Sequence, residues 1–332
     1  MKKNKLKKAL YVLSLSTLLV NCRSSSDDKL QRQAILDKYN VSYNTVNYLD
    51  DNQLLKKGNN SLNSSIIDNI NYKLDYMMVP QGITLYNDYI LVSAYDYLDA
   101  RNSIILVLNN NGELINKCEL DISSHVGGIA YDNSNNILWV SNIGGTLNGF
   151  RINNIINNSS AKSLYRDILL GEDLINYRGS KSISYLTFYN NKLYVGNFVN
   201  QGSGKLKEYT LERKGSTITF NNTNIFKVPT YVQGVTFYNS NNNDYIMFSR
   251  SSGSNVPSLI QIYKFDTNCK SYDENDNKCI SYETTNMLEQ ISINNGKLYS
   301  VYENAATPYV LFSNNNGNNE IKINDIDSII KK

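Results

Sequence analysis

Pro80-Gln81-Gly82-Ile83-Thr84-Leu85-Tyr86, followed after Asn87-Asp88 by Tyr89-Ile90-Leu91-Val92-Ser93, is the phrase that decides how this chain folds. Two β-rich runs separated by a short Asn/Asp turn spell an antiparallel hairpin. The phrase returns four times, opening at Val126-Gly127-Gly128-Ile129, Ile183-Ser184-Tyr185-Leu186, Val232-Gln233-Gly234-Val235 and Leu288-Glu289-Gln290-Ile291. Each copy is closed by a second run such as Ile137-Leu138-Trp139-Val140-Ser141 or Tyr245-Ile246-Met247-Phe248-Ser249. With Gly82, Gly128, Tyr185, Gly234 and Gln290 as equivalents, the intervals are 46, 57, 49 and 56 residues.

A third β-rich run follows every hairpin, at 103–108, 146–152, 205–211, 258–265 and 309–312, and some units add a fourth, as at 113–120 and 217–220. Modules of three to four antiparallel strands at about 40–50 residues fit the blades of a β-propeller. A β-sandwich would not require the same phrase five times. The sequence therefore predicts an all-β propeller with five visible repeats and five or six blades. The sixth would be assembled from 61–76 and 320–330, the two chain ends pairing to close the ring. The 26 Tyr and 9 Phe against one Trp suit sheets stacked face to face.

Outward from the repeats, the first residues carry an address. Five lysines lie within Met1–Lys8, an apolar run covers Ala9–Val20, and Asn21-Cys22 follows. A basic segment followed by a short apolar one is a secretory signal, too short for a typical membrane span. Leu19-Val20-Asn21-Cys22 resembles the lipobox of bacterial lipoproteins, with Asn21 where Gly, Ala or Ser is usual. That resemblance implies cleavage after residue 21, lipidation (palmitate among the acyl chains) of Cys22, and a place in the bacterial cell envelope, anchored to the lipid bilayer and either periplasmic or surface-exposed. Residues 22–60 read as a polar tether with a short helix at Asp28–Asn40, and 61–332 as the propeller. Without residues 1–21, Lys+Arg falls from 33 to 28 against 30 acids, so the net charge moves from +3 to −2. A mildly acidic domain gives no support to nucleic-acid binding.

Chemistry is constrained by scarcity. One His cannot build a multi-histidine zinc site, and Cys22, Cys118, Cys269 and Cys279 show no CxxC spacing. In an exported protein Cys269 and Cys279, which flank an acidic loop, are expected to form a disulfide, leaving Cys118 as a buried strand residue. The loop Asp273-Glu274-Asn275-Asp276-Asn277 lacks the Gly and distal Glu of an EF-hand and reads as a solvated turn.

A hairpin brings the start of its first strand and the end of its second to one edge. The opening positions are Gln81, Gly127, Ser184, Gln233 and Glu289, with His125 just before Gly127. The closing positions are Tyr95, Asp96, Asn142, Asn197, Arg250, Tyr302 and Glu303. These should gather at one mouth of the ring, whereas the opposite turns are plain Asn/Asp solvent turns. The expected ligand-binding set is Gln81, Asp96, His125, Asn142, Asn197, Gln233, Arg250, Glu289 and Glu303. His125 reads as a general base or as a strand-tying hydrogen bonder, Glu289 as a ligand-facing acid or as a salt-bridge partner of Arg250. Asn142, Asn197 and Glu289 offer oxygen ligands to Ca²⁺.

The phrases Val79-Pro80-Gln81-Gly82-Ile83, Ser93-Ala94-Tyr95-Asp96, Ser124-His125-Val126-Gly127-Gly128 and Ser249-Arg250-Ser251, in that order, resemble a family of exported bacterial β-propeller proteins of no established activity. More distantly, the chain resembles the gluconolactonase-like six-bladed propellers, whose channel calcium is held by Glu, Asn and Asp. Only Glu289, Asn142 and Asn197 echo that set, and its Asp is missing or supplied by Asp96. Two functions follow as expectations. One is an anchored propeller binding an envelope or surface protein or a glycan at its polar mouth, with no cofactor. The other is a Ca²⁺-dependent hydrolase or lactonase at the same mouth, with His125 and Glu289 as its catalytic groups.

Overall fold

The computed structural model describes residues 60–61, 65–68, 74, 77–253, 256–273, 279–304, 306, 308–309 and 320–330. The expected signal segment, Cys22, the helix expected at Asp28–Asn40, most of the expected tether and positions 274–277 of the acidic loop lie outside them.

Two short strands come first, β1 (Asn60–Ser61) and β2 (Ser65–Asp68). The first blade is β3 (Met78–Tyr86), β4 (Tyr89–Asp96), β5 (Ile104–Asn109) and β6 (Leu114–Leu120). The second contains β7 (Ile129–Asp132), β8 (Ile137–Asn142) and β9 (Thr146–Arg151). A single-turn-scale helix, α1 (Ile152–Asn157), then precedes β10 (Ser160–Ala161), which pairs parallel with β6, and β11 (Tyr165–Leu169) completes the second blade against β9. β12 (Tyr185–Tyr189), β13 (Lys192–Gly196), β14 (Gly204–Lys214) and β15 (Thr217–Val228) form the third. β16 (Val232–Ser240), β17 (Asn243–Arg250), β18 (Ser258–Lys264) and β19 (Ile280–Thr284) form the fourth, with β1 parallel to β19 at its edge. β20 (Leu288–Asn294), β21 (Lys297–Tyr302) and β22 (Glu320–Asp325) form the fifth, before a final short helix, α2 (Ile326–Ile330).

The ring closes at five. β2 pairs antiparallel with β22, Ser65 opposite Ile323 and Asp68 opposite Glu320, as the outermost strand of the fifth sheet. The chain ends do pair as expected, but they complete a blade that already exists instead of adding a sixth. The core gives the physical reason. Apolar residues cluster between each pair of neighbouring sheets, and the cluster joining fifth to first (Val301 and Ile321 against Ile83, Ile90, Val92 and Leu106) leaves no gap for another blade. The remaining interfaces are filled by Leu91, Val107, Leu138 and Phe150; by Trp139, Leu186, Leu193 and Val195; by Tyr194, Phe226, Val235 and Phe248; and by Met247, Ile260, Leu288 and Leu298. Each strand alternates its side chains between two such interfaces, which explains runs buried on both faces, such as Ile104–Leu108.

The hairpin turns follow from asparagine's tolerance of the left-handed region. Asn190-Asn191, Asn241-Asn242 and Asn295-Gly296 all have positive φ at both positions, the geometry that matches strand twist in a two-residue turn. In the second blade Asp132 does further work. Its Oδ1 accepts from the amides of Ser134 and Asn135, and its Oδ2 accepts from Nε1 of the buried Trp139 at 3.2 Å. The indole lies over Gly149, where a Cβ would come within 2.6 Å of the ring.

Candidate functional site

Opposite the turns, the mouth is shaped by a backbone irregularity repeated around the ring. The residue leading into the first strand is left-handed at Met77, Val126, Tyr231 and Met287, with φ of 68°, 46°, 63° and 56°. For the β-branched Val126 this is strained, and strain of this kind is held only where surrounding contacts over-determine it. A register shift follows in three blades, between Pro80 and Ile83, Val232 and Gly234, and Leu288 and Ile291. Gln81, Gln233 and Glu289 sit in these bulges, which re-aim side chains that regular pleating would direct elsewhere.

Serine hydroxyls tie down the first strands, and those of Ser93 and Ser249 reach the adjoining blade. Ser93 Oγ accepts from the Gly82 amide and donates to the Val126 carbonyl, both at 2.8 Å. Ser141 Oγ accepts from the Gly128 amide at 2.9 Å, and Ser249 Oγ donates to the Glu289 carbonyl at 2.6 Å. At the axis itself, three of the five equivalent positions are glycines and one is Gln290. The Gln290 side chain crosses the ring: Nε2 donates to the carbonyls of Ile129 (2.7 Å) and Leu186 (3.0 Å), and Oε1 accepts from the Ile129 amide (2.9 Å). A Cβ at Gly82 would lie 3.0 Å from that Oε1, and one at Gly234 would lie 2.7 Å from the Gln290 Cα. The glycines make the space and the glutamine fills it.

Just above this plug lies the chemical centre of the mouth, a pair of buried carboxyls. Glu289 is 4% exposed and Glu303, which follows β21, is 6% exposed. They are hydrogen-bonded to each other. Gln81 Nε2 donates to Glu303 Oε2 at 2.6 Å, and Gln233 Nε2 donates to Glu289 Oε1 at 3.3 Å. Burial, then the charge of Glu303 and its hydrogen bond, hold the Glu289 carboxyl well above the ordinary range. Burial also raises Glu303, while hydrogen bonds with Tyr309, Gln81 and Glu289 pull it back to about 7. Near neutral pH the pair therefore keeps a proton between its oxygens, a carboxylic acid beside a carboxylate.

His125 connects to this pair through two tyrosines, since Tyr309 is hydrogen-bonded to Glu303. One face rests on Tyr95, with ring centroids 4.1 Å apart, and Tyr95 Oη lies 3.4 Å from Tyr309 Oη. Surrounding protein lowers the His125 pKa, to about 4, through desolvation, yet the side chain remains open to solvent, which moderates that effect.

Four other expected site residues are committed to structural bonds. Asp96 accepts from the amides of Ala100 and Arg101 and pairs with the Arg101 guanidinium at 3.1 Å, holding its own loop. Asn142 Nδ2 donates to Asn148 and Asp167, and its Oδ1 accepts from the Ile143 amide. Asn197 donates to the Ile175 carbonyl and accepts from the Lys205 amide. Arg250, 1% exposed, donates to the Thr230 carbonyl at 2.7 Å and to Gln261 Oε1 at 2.9 Å. Gln81, Gln233, Glu289 and Glu303 are brought together; the amides of Asn142 and Asn197 are spent inside their own blades.

The expected disulfide is corrected. No bond joins Cys269 and Cys279: Cys269 Sγ donates to the Ser271 carbonyl at 3.0 Å and Cys279 Sγ to that of Ile280 at 3.7 Å. Both pack on the core between the third and fourth blades, and the β18–β19 ladder from Ser258–Thr284 to Ile262–Ile280 already closes the base of the loop. Cys118 is fully buried, and desolvation followed by the charge of Glu119 pushes its thiol up to about 12, an inert group.

Sequence reasoning missed two features of the mouth. Gln290 was legible in principle, as the long polar side chain in a column of glycines. The second is an apolar rim. Ile143, directly after β8, is 71% exposed, and Leu169, Ile175 and Tyr177 are also exposed. Ile143 bridges Ser182, Asn197 holds the Ile175 carbonyl, and Tyr177 packs edge-on against Phe198 at 6.1 Å, so these residues share the mouth end of the second and third blades.

Neither a protein-family model nor a curated protein sequence matches the chain. Among solved structures it is similar to the tail fibre of Staphylococcus aureus phage P68 (14% identity, TM-score 0.44), covering 81% of this chain and 54% of that one. The chain thus spans about half the length of that tail fibre. It is also similar to the RRP9 WD40 repeats (8% identity, TM-score 0.43, 81% and 99% covered). A third likeness is to XC5397 from Xanthomonas campestris, described as a gluconolactonase (10% identity, TM-score 0.41, 83% and 93% covered). The propeller itself rests on the sheet topology.

Proposed function

We propose that this chain is an exported, lipid-anchored propeller that binds a protein partner on its mouth face. The observation that carries the reading is the rim: Ile143, Ile175 and Tyr177 hold apolar surface in water at the mouth end of the second and third blades, with Arg178 stacked over the Tyr177 ring at 5.1 Å. Contiguous exposed apolar surface rimmed by charge is what a protein interface buries, with aromatic and Arg side chains as its anchors. The basic and apolar start of the chain and the lipobox-like run ending at Cys22 support an envelope location for that face, at the end of a polar tether.

Site-specific photocrosslinking in the native envelope tests it. A photoreactive residue at Ile143 or Tyr177 is expected to give one discrete protein adduct, and the same residue at Asn241 on the opposite face none. Adducts from both faces alike, or from neither, would sink the proposal. The anchor is tested separately, since Cys22→Ser should move the protein from the detergent phase to the aqueous phase.

A calcium-dependent hydrolase at the mouth is the weaker reading, because its ligands Asn142 and Asn197 would have to surrender the hydrogen bonds described above. A rise in melting temperature with Ca²⁺ that Glu289→Gln abolishes would favour it.

A further inference from the structure

The turn face is not a plain solvent surface. The hairpin turns of four blades surround a recess of about 680 Å³, lined among others by Asn87, Asn133, Asn190, Asn191, Asn294 and Asn295. Its lining includes three aromatic residues, Tyr131, Phe188 and Tyr189. An adjoining hollow of about 440 Å³ shares Asn87 and Asp88 and runs outward along Asn109–Asn111. Gln290 closes the axis between this recess and the mouth, so the two are separate places.

We infer that this recess is a second binding site, for a neutral saccharide. No Lys, Arg or His lines it and Asp88 is its one carboxylate, a lining that offers an anionic ligand nothing to pair with. Primary amides supply donor and acceptor together, the complement of a hydroxyl group, and aromatic rings supply flat apolar surface for the C–H faces of a sugar ring. The turns fix the backbone that carries the amides, and the amides of Asn191 and Asn294 are themselves hydrogen-bonded. Asn87, Asn190, Asn191 and Asn295 have φ between 49° and 59°, Ser134 Oγ donates to Asn191 Oδ1 at 2.8 Å, and Asn294 Nδ2 reaches the Asn87 carbonyl at 3.4 Å. Tyr189 is stacked on Phe237 at 4.9 Å and donates to Asp244 at 2.7 Å, and Tyr131 packs edge-on against Tyr86 at 4.9 Å. Rigid aromatics and turn-locked amides lose little entropy on binding. The shared hollow gives room for more than one sugar unit.

Saturation-transfer NMR on the full chain with maltotriose, cellotriose and chitotriose tests this. At least one probe should bind with a Kd of about 1 mM or tighter. Asn87→Gly and Asn295→Gly keep the left-handed turn while deleting an amide, and each should weaken that binding about fivefold. Tyr131→Ala should abolish it, but because that ring also packs against Tyr86 the two glycine variants carry the test. Ile143→Asp at the mouth should leave sugar binding unchanged. No transfer from any of the three probes, or transfer undiminished in the combined Asn87→Gly, Asn295→Gly chain, would overturn the inference and leave the mouth reading untouched.

Discussion

The two faces of the ring are built from the same five hairpins and have opposite characters. At the turn face each hairpin sets its own backbone, with asparagines at positive φ around a shared recess, while the exposed bonds from Ser134 to Asn191 and from Asn294 to Asn87 link neighbouring turns. At the mouth the central groups are held between blades. Glu289 leans on Glu303 and Gln233, Gln81 on Glu303, and Ser93 and Ser249 on carbonyls of neighbouring blades. A turn's backbone is set within its own hairpin and its links to other turns are exposed, whereas a change at the buried carboxyl pair or the axis is felt by several blades together.

That contrast can be broken by experiment. The largest effect is expected at the axis. Gly234→Val would press a side chain against the Gln290 Cα at 2.7 Å and the Ile291 amide at 2.9 Å, both backbone that cannot move aside. Chemical denaturation should show a loss of about 3 kcal/mol or outright failure to fold. Gly296→Ala in a turn meets nothing closer than 3.8 Å and is strained only by its φ of 71°, so about 1 kcal/mol is expected there. Equal losses at the two sites would erase the distinction.

A middle-sized effect should come from the carboxyl pair, and its sign is fixed by the direction of the shifts. Both carboxyls titrate higher in the folded chain than in the unfolded one, so folding takes up protons and stability falls as pH rises from about 4.5 through about 7. The slope is about 1.4 kcal/mol per pH unit for one proton. Glu289→Gln should flatten it and raise the melting temperature at pH 8 more than at pH 5. A variant with an unchanged pH profile would mean the pair does not share its proton. The smallest effect belongs to the turns. Asn191→Gly should be neutral within about 0.5 kcal/mol and Asn191→Ala should cost about 1 kcal/mol, because only the second opposes a φ of 59°.

The residues that were legible share a physical trait. The repeated phrase, the Asn turns and the Gly column report constraints acting within one hairpin or at one symmetric position, and a local constraint leaves a local mark. Glu289, Gln81 and Gln233 could be named together because each opens the first strand of a repeated hairpin, whose edge is set by local pairing. Asp96, Asn142, Asn197 and Arg250 occupy the right edge but are consumed by their own loops and neighbouring strands, which polarity alone does not reveal. Cys269 and Cys279 flank a loop as a disulfide would, yet each thiol is directed at a backbone carbonyl.

From its sequence alone this protein is a ring of β-hairpins with asparagine turns at one end and polar strand termini at the other, since strand period, turn chemistry and repeat spacing are properties of short stretches of chain. Only the tertiary structure decided that the ring closes at five, that Glu289 meets Glu303, and that Gln290 spans to the second and third blades. Those outcomes depend on how sheets from distant parts of the chain pack around a common axis, and no short stretch of residues carries that information.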